Sequence, residues 1–108
     1  MGPMTPFEGA ANKFLNIAQG IVDDHIRRNF PTLDGELLVF DKPGRRYQRI
    51  WAVNQGTKSR RVYCFLQYDN GDVLKAESWK KPAMHARSNI YDPDSGASGI
   101  TYFGAKYL

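Results

Sequence analysis

The sequence predicts an α+β domain of two layers: an N-terminal amphipathic helix packed on a four-stranded antiparallel meander, followed by an irregular C-terminal segment. Three observations predict it. Apolar residues recur at the helical period over residues 5–29, and at period two in short runs over residues 36–79. The turn signals "KPG", "QGTKS" and "DNG" punctuate the second region at short intervals. A helix followed by a run of strands, without alternation between the two, is the pattern of one α+β unit rather than a parallel sheet. A chain of 108 residues suits one domain over residues 1–108, with one hydrophobic core.

The helix starts at a capping box. Thr5 caps it, Pro6 suits the first helical position, and Glu8 stands three residues after the cap. Phe7, Ala11, Phe14, Leu15, Ala18, Ile21, Val22 and Ile26 form the stripe, and His25 sits at its boundary. Arg27 and Arg28 occupy the last turn, where cations favour the helix dipole, and Pro31 blocks continuation. Strands follow as "ELLVFD", "RYQRIWAVN", "RRVYCFLQY" and "DVLKAESW". The C-terminal segment, residues 80–108, opens with Pro82 at the head of a one- or two-turn helix through Arg87. Beyond it, Pro93, Gly96, Gly99 and Gly104 signal an irregular path. Ile100, Tyr102, Phe103, Tyr107 and Leu108 are too apolar for a free tail, so the segment packs back onto the domain or onto a second copy.

The turn at "YDNGDV" sets the two faces of the sheet. A three-residue loop, Asp69-Asn70-Gly71 with Gly71 left-handed, pairs Leu66 with Leu74, Cys64 with Ala76 and Val62 with Ser78. A two-residue Asn-Gly turn would mix apolar and polar residues on each face. The chosen register gives a core face of Ile50, Ala52, Val62, Cys64, Leu66, Leu74 and Ala76. The opposite face then carries Tyr47, Arg49, Trp51, Val53, Arg61, Tyr63, Phe65, Gln67, Lys75, Glu77 and Trp79.

Charge is segregated along the chain. The net charge is +4, yet residues 34–88 alone hold eleven Lys and Arg against six Asp and Glu, and residues 42–68 hold seven cations and no acid. A localised basic band attracts polyanions, and the same residues equally suit a solvated surface. Two readings of the aromatic face stay open. Its rings stack unpaired bases while Arg and Lys meet phosphates, or they form a second apolar layer covered by the C-terminal residues or a partner. On the first reading the contacts are Arg45, Arg46, Tyr47, Arg49, Trp51, Arg60, Arg61, Tyr63, Lys75, Trp79, Lys80, Lys81 and Arg87, with Phe65 a further stacking candidate. Single strands suit this better than duplex, whose bases are already stacked.

Other chemistry finds little footing. Cys64 is the only cysteine and lies in an apolar strand pattern, where it reads as a small buried hydrophobe. Two histidines without ligand spacing argue against zinc, and "DPDSG" lacks the later acid of a calcium loop. "GASG" has neither the Lys-Ser/Thr nor the strand-to-helix context of a phosphate loop. The reading is no enzyme, no cofactor, no metal and no membrane span. Without a basic-then-apolar leader, the expected setting is cytoplasmic.

The stretch "GDVLKAESWKKPAMHARSNIYD" and the ending "YFGAKYL" resemble small uncharacterised proteins of tailed bacteriophages. The resemblance rests on Gly71, Asp72, Leu74, Lys75, Ser78, Trp79, Lys80, Pro82, Ala83, His85, Ala86, Arg87, Asn89 and Ile90. Ser88 departs from the glycine expected after the Arg. The match covers about a third of the chain and implies a phage origin and an infected-host cytoplasm, without an activity. The functional expectation is therefore a phage-encoded nucleic-acid-binding protein. Its alternatives are a protein–protein module, gripping a host enzyme or a second copy of itself, and a minor virion component.

Overall fold

The computed structural model describes residues 5–106 and places one helix against one side of a five-stranded antiparallel sheet. Helix α1 (Pro6–Asn29) starts at the predicted cap: the Glu8 backbone N–H donates to Thr5 Oγ1 at 3.1 Å, and the Thr5 hydroxyl donates to Glu8 Oε1. Its buried stripe is Ala11, Phe14, Ala18 and Val22. Arg27 and Arg28 both pair with Asp24 in the last turns, and the Phe30 N–H closes the helix onto the Ile26 carbonyl.

Strands β1 (Glu36–Phe40), β2 (Tyr47–Asn54), β3 (Arg60–Gln67), β4 (Asp72–Ala76) and β5 (Pro82–Asn89) follow one another across the sheet in chain order. The fifth strand replaces the short helix expected from Pro82 to Arg87. "PAMHAR" is locally helix-compatible, and pairing with β4, from Ala76↔Pro82 to Asp72↔Asn89, overrides that preference. Pro82 is tolerated because it opens an edge strand. Correspondingly, β4 stops at Ala76 rather than at 79, and a turn closes where the N–H groups of Glu77 and Ser78 both donate to the Lys81 carbonyl.

Two register findings correct the expected faces. First, the β3–β4 loop has four residues, 68–71, closed by the Gly71 N–H on the Gln67 carbonyl at 2.9 Å. Gly71 is left-handed, with φ of +78°, as the sequence suggested. The pairs are consequently Leu66↔Val73 and Phe65↔Leu74, one residue away from Leu66 with Leu74. Val73 enters the core beneath the helix, strand alternation carries Lys75 to that same side, and Leu74 and Ala76 turn to the other. Second, the β2–β3 register shifts between Ile50 and Trp51: Ile50 pairs with Cys64 and Trp51 with Val62, leaving Tyr63 as the extra residue of a β-bulge. An inserted residue inverts the parity beyond it. Tyr63 therefore joins Cys64 in the core, Val62 moves to the side of Trp51, and Arg61 moves to the helix side.

The helix-side core unites Phe14, Ala18 and Val22 with Leu38, Ile50, Ala52, Tyr63, Cys64, Leu66 and Val73. Ile90, Ile100 and Ala105 belong to the same cluster, so residues 90–106 return on the helix side. A 3-10 turn, Ala97–Gly99, and a bridge between Ile100 and Ala105 shape that return. The expected packing of the tail thus holds for Ile100, while Tyr102 and Phe103 stay exposed and Tyr107 and Leu108 lie outside the described residues. Among the described residues, helix and tail both pack on one side of the sheet and leave the opposite side open.

Candidate nucleic-acid interface

Trp51 is the centre of the open side. Its ring lies between two guanidinium groups, Arg49 at 4.5 Å and Arg60 at 4.1 Å from the ring centroid, and Trp79 meets it edge-on at 5.5 Å. Cations over an indole face are attracted by the ring quadrupole. These groups and the sheet leave Trp51 only 3% exposed, whereas Trp79 on the β4–β5 turn is 60% exposed. Trp51 Nε1 is the one buried side-chain polar atom that lacks a hydrogen-bond partner among the described residues.

Arg49 is a clamp. Its Nε and Nη2 donate to Asp41 Oδ2 at 3.0 and 2.5 Å, and its Nη1 donates to the Trp79 carbonyl at 2.5 Å. One side chain on β2 thereby ties the β1–β2 loop to the β4–β5 turn. The Arg49 hydrogen bond holds the Asp41 carboxyl below the usual carboxylate range; burial opposes this, and the Lys42 backbone N–H adds a smaller pull in the same direction.

Between those two loops opens a cleft of about 410 Å³, lined by Asp41, Lys42, Gly44, Arg45, Arg46, Tyr47, Arg49, Phe65 and Lys80. Tyr47 and Phe65 form its apolar wall, edge to face at 6.1 Å. Asp41 and Arg49 neutralise each other. The side chains of Lys42, Arg45, Arg46 and Lys80 are exposed and form no ion pair or hydrogen bond with a described residue. Four cations without a described partner therefore face one concavity.

The structure splits the residues singled out from sequence. It brings Arg45, Arg46, Tyr47, Arg49, Trp51, Arg60, Trp79 and Lys80 onto the open side. Trp51 and Phe65 are nevertheless buried there, which leaves Tyr47 and Trp79 as the accessible rings. Tyr63 is withdrawn: it is buried in the core, its hydroxyl donates to the Thr101 carbonyl at 2.6 Å, and burial pushes its phenol up. Arg61 is engaged on the helix side by Glu36 at 3.0 Å and lies over the Phe103 ring at 4.3 Å, donating also to the Phe103 carbonyl. Arg87 Nε donates to the Lys106 carbonyl at 2.7 Å, tying β5 to the tail. Lys81 reaches Glu77 in an exposed pair at 3.7 Å, and Lys75 sits on the side of Val73. Sequence reasoning left out Lys42 and Asp41, because "DKPG" reads first as a turn; the lysine beside Pro43-Gly44 was the available signal.

A second aromatic cluster lies at the far end of the helix side. His25 stacks on Tyr102 with centroids 3.5 Å apart, and a groove of about 210 Å³ runs beside them between Phe30, Leu33, Tyr102 and Phe103. Among the described residues no group of three His, Cys, Asp or Glu is placed to hold a metal ion, and no helix is long and apolar enough to cross a membrane.

Fold and surface together define a small α+β protein with a clamped, cationic cleft on the open side of an antiparallel sheet. The chain belongs to the family of unknown function DUF7717, which matches residues 16–104 and so spans the whole cleft. No curated protein and no solved structure matches it.

Proposed function

We propose that the protein binds nucleic acid, preferentially single-stranded, through the open side of its sheet. The observation that carries this reading is the cleft itself: Lys42, Arg45, Arg46 and Lys80, unpaired with described residues, beside the Tyr47 ring and next to exposed Trp79 and Arg60. Cations of this kind bind phosphates by releasing counterions, and accessible rings stack unpaired bases. The resemblance of the C-terminal stretch to tailed-phage proteins adds an infected host cell as the setting.

Fluorescence anisotropy of a labelled 20-nucleotide single strand, run against salt, tests it. Engagement of Lys42, Arg45, Arg46, Arg60 and Lys80 gives a slope of log affinity on log salt of about −3.5, at roughly −0.7 per phosphate neutralised. Arg45→Ala with Arg46→Ala makes that slope shallower by about 1.4. Trp79→Ala weakens binding by ~1–3 kcal/mol where a base stacks on it. Absence of binding at low salt, or binding indifferent to salt, defeats the reading.

A second reading places protein association at the groove beside His25. Its surroundings are charge-balanced: Arg27, Arg28 and Arg61 against Asp24, Asp34 and Glu36. On a chain of net charge +4, this is a surface where two copies meet without like-charge repulsion. Sedimentation across a concentration series, with Leu33→Asp as the disrupting variant, reads it.

A further inference from the structure

We infer, on the basis of the nucleic-acid reading above, that the cleft seats the phosphorylated end of a strand rather than its interior. Its volume of about 410 Å³ lies in the range of small-ligand sites. The charge it holds is dense. With Asp41 and Arg49 neutralising each other, Lys42, Arg45, Arg46 and Lys80 remain. An internal phosphodiester offers them one negative charge, whereas a terminal phosphomonoester carries close to two at neutral pH and presents three oxygens. The backbone that carries these cations is fixed in advance, since Arg49 joins Asp41 at one lip to Trp79, the neighbour of Lys80, at the other. Tyr47 supplies a ring for the terminal base. The strand leaves by one route that the open side provides, past Trp79 and Arg60 beside Trp51.

Labelled single strands of one sequence, bearing a 5′-phosphate, a 3′-phosphate or neither, are compared by anisotropy at low salt. One phosphorylated end binds about tenfold tighter than the plain strand, a charge-assisted contact's worth of affinity. In the Arg45→Ala/Lys80→Ala protein that advantage shrinks to within twofold. Arg60→Ala weakens all three strands alike and keeps the advantage. Both cleft side chains are exposed and without described partners, so their loss leaves the fold intact, which a circular dichroism melt verifies. Binding of all three strands within twofold, still salt-dependent, overturns the end-seating inference and leaves the nucleic-acid reading standing. Failure of every strand to bind overturns both. Displacement of the phosphorylated strand by an equal concentration of a nucleoside monophosphate also overturns it, because the ligand is then a free nucleotide.

Discussion

Asp41 shows how much one side chain does for the cleft and how its loss is read. Its carboxyl titrates below the ~3.9 of an unfolded aspartate, held there chiefly by Arg49. A group lowered on folding contributes stability that is present above its unfolded value and is lost as pH falls through its folded value. Asp41→Asn lacks that contribution at every pH. Urea melts therefore separate wild type from Asp41→Asn by about 1 kcal/mol at pH 7, a figure reduced for partial exposure, and the gap closes as acid protonates the folded carboxylate. A gap that persists at low pH refutes the ion pair as its source. Two glycines give opposite outcomes for the same alanine substitution. Gly104 has φ of +146°, and a Cβ there would stand 2.3 Å from the Tyr63 carbonyl oxygen, at the bulge. Gly104→Ala costs ~1–3 kcal/mol or more in a thermal melt. Gly9 lies in α1 with open space around it, so Gly9→Ala stabilises by up to ~1 kcal/mol.

At the scale of elements, the sheet's two edges are handled differently. On β1 the Gln19 side chain acts as a stand-in peptide: its Nε2 donates to the Glu36 carbonyl and its Oε1 accepts the Leu38 N–H, both at 2.8 Å. The outward row of β1 is thereby blunted against a foreign strand. On β5 two register shifts distort the strand, and Arg87 and Ser88 bind the returning tail. Gln19→Ala frees two backbone groups, costs ~1–2 kcal/mol in urea melts, and raises self-association in light scattering. Loss of stability without added association would mean the clamp serves helix docking alone. The elements also show what a sequence can reveal. The helix is legible because its signals are local: Thr5 and Pro6, a regular stripe, Pro31. Strands one to four are legible from alternation and turns. β5 is not, since Pro82-Ala83-Met84 carries a local helical signature that only a neighbouring strand outweighs. The bulge is equally hidden, because "RRVYCFLQ" alternates evenly in both parities and nothing local marks Tyr63 as the extra residue.

The whole molecule is organised by side: helix and tail cover one surface of the sheet, and cations with rings occupy the other. That segregation was half visible in the sequence. The basic band between Lys42 and Arg61 could be read directly, whereas Arg61 and Arg87 proved to be fasteners for a tail some twenty to forty residues away, which no local pattern announces. Cys64 lies at the meeting of both layers, fully buried, with burial pushing its thiol up. No thiolate forms in the native state at pH 8, and a labelling reagent reaches the sulfur only when helix and sheet part. Labelling by a thiol reagent is therefore slow and single-exponential, and in urea its rate follows global unfolding. The same sulfur reports binding on the far side of the sheet. A ligand that binds only the folded chain scales down the open population by one plus its concentration over Kd, about a hundredfold at 100 times Kd. A single strand bound at the cleft, on the opposite side of the sheet from the buried Cys64 sulfur, slows labelling by that factor without touching the sulfur. Arg45→Ala/Lys80→Ala removes the slowing while leaving the rate without ligand as it was. Fast labelling of the native protein, or slowing that survives in that variant, would show that Cys64 is reached by local opening or that the strand binds elsewhere.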